Sequence, residues 1–388
     1  MKDKILVINT ANRAWSVIDS YTLKSKFYDF SFLELYYSVS GYSFENSLSS
    51  LDELVVSCID HKDLISNIKL FEPSVIYLRV SPHTRSEYLC KIIRDKFPSV
   101  KLFVEFYDMS LNFDEGDLNY IHSNNIENKE KAKVGCFSAL KESDVLIFKC
   151  GGESFEKWIS NKTDNPIVNY FPNISSDNVS LDRDSSDKRK ILYAGSVNSR
   201  EFNEFVGVAP GANILNYFSA TSNSEELELT IVNATHWHES EDASARNINI
   251  MKWVKEKGVN YHRSISIDKL KALMADYDLG LCCSHYKFDR VMDVTRFGVP
   301  NRVSTYLSAE LPVIIDNRFE YMASLISEFS AGIVVPAGEF DEMINKINSL
   351  DIKKAKSGVV QLKDFLSNKN DLSLSRLLEI ATENKNRG

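Results

Sequence analysis

Twice along this chain, short apolar runs rich in β-branched residues alternate with longer segments whose apolar residues recur at helical spacing. This is how βα units look in sequence, and it commits the chain to parallel sheets covered by helices. In the first half the strand candidates are Ile5–Asn9, Leu54–Ser57, Val75–Val80, Leu102–Glu105, Val145–Phe148 and Pro166–Tyr170, with Thr84–Lys96 the clearest helix between them. Residues 173–190, NISSDNVSLDRDSSDKRK, are almost wholly polar and have little to bury, as in a linker. A second strand-led pattern follows: Ile191–Ala194, Leu229–Asn233, Asn260–His262, Leu279–Cys283, Pro312–Asp316 and Gly332–Val335. Helix candidates between these are Ala245–Lys257, Ile267–Asp276, Arg302–Ala309, Phe319–Glu328 and Phe340–Leu350, and Leu372–Asn386 reads as a last one. The expected organisation is α/β, with one domain over 1–185 and a second over 186–388 that includes the terminal helix.

Composition narrows the function classes. Forty-six basic against 54 acidic residues leave a net charge of −8, which excludes a nucleic-acid binder working through a globally basic surface. Only 15 of the 388 residues are glycine, and neither a GxGxxG fingerprint nor a P-loop is present. A dehydrogenase or P-loop nucleotidase is therefore not expected, and a phosphate site is better sought at a helix N-terminus than in a glycine cradle. The six cysteines have no zinc-type spacing and read as small hydrophobes. His236 and His238, with Glu239 and Glu241, read as an exposed loop rather than a metal site. The chain opens directly on a strand and holds no apolar run long enough to span a membrane, so the expected setting is cytoplasmic, at most touching the inner face of the membrane.

In open parallel sheets ligands bind beyond the carboxyl ends of the strands. The first such loop in the second half follows Gly195 and contains Ser196, Asn198, Ser199 and Arg200. The glycine permits close backbone approach, and exposed N–H groups suit phosphate oxygens. In Val299–Asn317, VPNRVSTYLSAELPVIIDN, Pro300 precedes a helix start. Asn301 and Arg302 stand at its N-terminus, where dipole and guanidinium together favour a diphosphate, and Thr305 lies one turn on.

These residues resemble the nucleotide-sugar half of the GT-B glycosyltransferases, whose pattern runs approximately Pro-x-Lys-x-x-Glu-Tyr-Leu-Ala-x-Gly-x-Pro-Val. Pro300, Tyr306, Leu307, Pro312 and Val313 match it. Arg302 keeps the charge of the lysine, Thr305 replaces the glutamate, and Glu310 replaces the glycine. The glutamate pair of many retaining members is missing, its places being held by Phe297 and Thr305. Gly195, the segment DYDLGLCCS and AGIVVP follow in family order.

The resemblance implies two Rossmann-like domains facing across a cleft (GT-B), with the second domain binding a nucleotide-sugar donor and the first a glycan or lipid-linked glycan acceptor. It implies neither cofactor nor metal, since cations and helix N-termini offset the diphosphate charge. It places the base of the nucleotide against His262 and Arg263. The 16-residue loop Ser284–Val299, which holds His285, Lys287, Arg290 and Arg296, is by its length a candidate functional loop near the diphosphate. An inverting transfer needs a general base for the acceptor hydroxyl. Asp108 and Glu105, at the end of a central strand of the first domain, are the candidates, with Glu153 a third carboxylate beside the paired glycines of KCGGES. The pathway expected from the resemblance is bacterial surface polysaccharide synthesis. Two other readings stay open: a sugar-nucleotide epimerase on the same scaffold, and a non-catalytic nucleotide- or glycan-binding subunit.

Overall fold

The computed structural model describes residues 3–10, 17–37, 55–58, 61–80, 89–106, 126–172, 174, 187–195, 197, 214–233, 250–263, 265–283 and 296–383. The chain divides into two units. The first comprises Met1–Pro172, Met292–Val294 and Asn368–Gly388, and the second Asn173–Val291 and Thr295–Ser367.

The first unit is built on a seven-stranded sheet: β1 (Lys4–Asn9), β2 (Ser31–Tyr37), β3 (Val55–Cys58), β4 (Val75–Val80), β5 (Lys101–Phe106), β6 (Val145–Phe148) and β7 (Ile167–Asn169). Its order is β3-β2-β1-β4-β5-β6-β7, and every pairing is parallel. The second unit carries six parallel strands: β8 (Arg189–Gly195), β9 (Leu227–Asn233), β10 (Asn260–Arg263), β11 (Leu279–Cys282), β12 (Val313–Asp316) and β13 (Gly332–Val335). Their order is β10-β9-β8-β11-β12-β13. In both sheets the chain starts in the middle, builds outward to one edge and returns to build the other. The order therefore reverses between β1 and β4, and again between β8 and β11, the places where such sheets open a crevice.

β2 was not among the expected strands, because Glu34 interrupts its apolar run SFLELYY. A charge at a buried strand position is tolerated only when it is paired, and Arg79 supplies that partner (3.6 Å). The helix Ser20–Lys26 follows β1 and is capped by Asp19, whose carboxylate accepts the Thr22 amide at 2.9 Å.

The terminal helix departs most from expectation. It runs unbroken over 31 residues, Ile352–Thr382, and passes from the second unit into the first at Ser367–Asn368. Its buried residues Ala355, Val359, Leu362, Leu366, Leu374 and Leu377 keep helical spacing throughout. The expected second domain over 186–388 is corrected accordingly: Asn368–Gly388 belong to the first unit. Leu374, Leu377, Ile380 and Ala381 join Ile5, Val7, Val75, Tyr77 and Phe103 in one core, and Asn370 both donates to and accepts from the backbone of Phe171. The core of the second unit gathers Ile191, Tyr193, Tyr217, Phe218, Leu229, Ile231, Leu279, Leu281 and Ile314. The edge strand β13 is blunted by Lys346, whose Nζ reaches the Val334 carbonyl at 2.8 Å.

Candidate functional site

In the second unit, register brings the ends of three strands to one level. Gly195 of β8 lies opposite Asn233 of β9, which lies opposite Arg263 of β10. Asn233 binds both the Val197 amide (3.1 Å) and the Tyr261 hydroxyl (3.0 Å), tying the chain after Gly195 to the neighbouring strands. His262 and Arg263 are exposed on the edge strand.

Arg302 comes from the first turn of the helix Asn301–Ser308, which follows Pro300. Its Nε donates to the Ala194 carbonyl (3.0 Å) and its Nη2 to the Tyr193 hydroxyl (2.7 Å). The guanidinium lies over the Tyr193 ring, 4.1 Å from its centroid. Gly195 is what makes room: a β-carbon there would fall 2.7 Å from Nε. The glycine and the arginine, both expected to face a diphosphate, thus form one arrangement. Arg302 is half-buried, and among the described residues no carboxylate pairs with it. Cys282, at the end of β11 beside Arg302, has its thiol pushed up to about 11 by burial, so it stays protonated at neutral pH.

Tyr306, one turn beyond Arg302, anchors the same helix to the sheet. Its hydroxyl accepts the Ala194 amide (2.8 Å) and donates towards the Leu281 (3.2 Å) and Leu192 (3.3 Å) carbonyls, stitching β8 to β11. A β-carbon at Gly280 would meet its ring at 2.6 Å.

Thr305 donates to the Asn301 carbonyl (2.9 Å). Glu310 stands in the left-handed region (φ 55°), which explains why the pattern it departs from has glycine there. The almost fully buried Lys363 holds its carboxylate at 3.0 Å. Arg296 differs from expectation: it forms a two-pronged pair with Glu320 (2.7 and 3.1 Å), so its charge is already matched.

The first unit holds a second polar constellation. Tyr36, Asn9, Arg79 and Glu105 share one register level across β2, β1, β4 and β5, and all are buried. Arg79 donates to Asn9 Oδ1 (2.6 Å) and the Ile18 carbonyl (2.6 Å), and lies 3.6 Å from both Glu34 and Glu105. Glu105 accepts the amides of Val17 (2.8 Å) and Ile18 (3.1 Å) and the Tyr77 hydroxyl (2.5 Å). Burial, and after it Glu105, holds the Tyr77 phenol well above its ordinary range. At 1% exposure and with both oxygens engaged, Glu105 is built to hold the backbone that leads into the helix Ser20–Lys26. Sequence reasoning missed Arg79 and Glu34; two opposite charges inside apolar strand runs were the signal for them. Glu153 opens the helix Glu153–Ser160 as an exposed residue. Asp108, Ser196, Arg200, His236, His238, His285, Lys287 and Arg290 lie outside the described residues.

Residues 231–370 match the model of the glucosyltransferase 3-like C-terminal domain family. No curated protein sequence matches the chain. Among solved structures, sucrose-phosphate synthase from Thermosynechococcus elongatus superposes with a TM-score of 0.65 at 11% identity, covering 100% of both chains. The lipopolysaccharide outer core galactosyltransferase WaaB superposes with a TM-score of 0.58 at 14% identity, covering 98% of this chain and 99% of that one. Anabaena HepE, solved in complex with UDP-glucose, gives 0.57 and 14%, covering 97% and 99%. The chain thus has the GT-B fold of these glycosyltransferases over nearly its whole length, and its residues 231–370 match a glucosyltransferase 3-like C-terminal domain.

Proposed function

We propose that the chain is a glycosyltransferase. It binds a nucleotide-activated sugar in its second unit and passes the sugar to a hydroxyl of a glycan or lipid-linked glycan, in the assembly of bacterial surface polysaccharide. The observation that carries this reading is Arg302: a half-buried guanidinium at a helix N-terminus, at the point where strand order reverses, whose described partners are all neutral. As the bond from sugar to phosphate breaks, negative charge builds on the diphosphate. A fixed cation and the positive end of a helix stabilise that charge without reorganising. Arg302 fills this role with no metal. Gly195 gives the guanidinium its room beside β8, and Ser196, Arg200, His262 and Arg263 are the further donor contacts of this reading, the last two for the base.

Asp108, two residues beyond β5, takes the proton of the acceptor hydroxyl in an inverting transfer. Glu105 supports that end of the sheet rather than reacting. UDP and UDP-glucose are the first ligands to try, since HepE holds UDP-glucose. Titration of the full chain with UDP should show binding, and Arg302→Ala should weaken it roughly 10- to 100-fold, the worth of a charge-assisted contact. Asp108→Asn should abolish sugar transfer while leaving UDP affinity intact. Unchanged UDP affinity in Arg302→Ala overturns the reading.

A further inference from the structure

Tyr193 was not among the residues expected at the site, yet it sets the pose of the arginine. Strand alternation puts Tyr193 and Gly195 on the same face of β8, with the Ala194 carbonyl between them. Arg302 lies across that face: its guanidinium carbon is 4.1 Å from the Tyr193 ring centroid, Nη2 is 2.7 Å from the Tyr193 hydroxyl, and Nε is 3.0 Å from the Ala194 carbonyl. The ring cannot drift, because it is 1% exposed and packed edge-on against Phe218 with centroids 4.8 Å apart.

We propose that Tyr193 is a positioning residue, fixing the guanidinium of Arg302 side-on in the space that Gly195 leaves, so that a nucleoside diphosphate meets a cation already in place. This rests on the reading of Arg302 as the donor-binding cation. An arginine free in solution samples many rotamers and must give them up on binding. Here Tyr193 and the Ala194 carbonyl hold it before any ligand arrives, so the cost falls on folding and affinity is gained by preorganisation. The neutrality of Tyr193 is part of the device. A carboxylate in its place would hold the arginine as firmly but cancel the charge that the diphosphate needs.

The test is a double-mutant cycle on the full chain, with UDP as the probe. Tyr193→Phe keeps the ring and its packing and removes only the hydroxyl; Tyr193→Leu removes both holds on the guanidinium. The expected result is a UDP Kd raised about fivefold by Tyr193→Phe and about tenfold or more by Tyr193→Leu, in line with a charge-assisted contact and a cation–π stack. In an Arg302→Ala background Tyr193→Phe should change UDP affinity no further, which a merely structural tyrosine would not reproduce. An equal loss in both backgrounds overturns the proposal, and so does no loss from Tyr193→Phe where Arg302→Ala still loses affinity. If Arg302→Ala itself leaves UDP affinity unchanged, the reading of the site falls and this proposal with it.

Discussion

Each unit holds an arginine at the carboxyl end of its central strands, Arg79 on β4 and Arg302 from the helix Asn301–Ser308, and the two units treat that charge in opposite ways. In the first unit Arg79 has Glu34 and Glu105 each at 3.6 Å, and these groups close the position with their own ions. In the second unit Arg302 is held by a carbonyl, a phenol and a ring, and no described carboxylate answers it. The same topology therefore holds one arginine as closed structure and leaves the other, on the proposed reading, as a receptor. An arginine neutralised in place contributes a fixed scaffold. One held by neutral partners keeps its field for something that arrives later.

Removing each cation in turn should separate the two arginines. Arg79→Met strands two buried carboxylates and should cost about 3–5 kcal/mol in denaturant unfolding. Arg302→Met strands no charge and should cost about 1.5 kcal/mol or less. Equal losses would erase the distinction.

The pair formed by Lys363 and Glu310 tests the rule on a third cation. Glu310→Gly relieves a left-handed backbone worth about 1 kcal/mol. It also leaves a buried ammonium without its carboxylate, so the net change should be a loss of about 2 kcal/mol. Adding Lys363→Met should restore or exceed the original stability, as read from Tm.

The smallest effect is at alkaline pH. Burial pushes the phenols of Tyr77 and Tyr306 up; Glu105 pushes Tyr77 further, whereas Arg302 pulls Tyr306 back. The folded chain keeps these protons while the unfolded chain releases them near pH ~10, so this part of the stability is complete below that pH and declines above it. Tyr77→Phe and Tyr306→Phe should each flatten the decline.

Much of the fold was legible because the pattern survives wherever strands are wholly apolar, as in Val145–Phe148 or Leu279–Cys282. It failed at β2, where Glu34 hides a strand that becomes acceptable only once Arg79 is brought beside it. It also failed at the terminal helix, whose early part IKKAKSGVVQ is mostly polar and carries Gly358. That glycine sits where a β-carbon would press on the backbone of Ser330, within 2.7 Å of its carbonyl. At the site, Pro300, Arg302 and Tyr306 were legible as a motif, and Gly195 as a glycine after a strand. The reason for Gly195 was not legible, since it is the side chain of Arg302, far along the chain. Glu105 read as a base because a carboxylate at a strand end resembles one. Only the fold reveals that the amides of Val17 and Ile18, and the Tyr77 hydroxyl, have already taken its oxygens.

The left-handed Glu310 and its buried partner have a consequence for descent. A chain that carries glycine at this turn lacks the carboxylate that faces the ammonium of the terminal helix, and a chain that carries the ammonium is penalised for returning to glycine. The two positions are thus locked to each other, and neither can change first without loss. Among descendants of this sequence, an apolar residue at 363 should accompany glycine at 310, and lysine should accompany an acid. The pair then serves as an inherited mark by which chains with this variant of the helix-to-strand turn can be told from the rest.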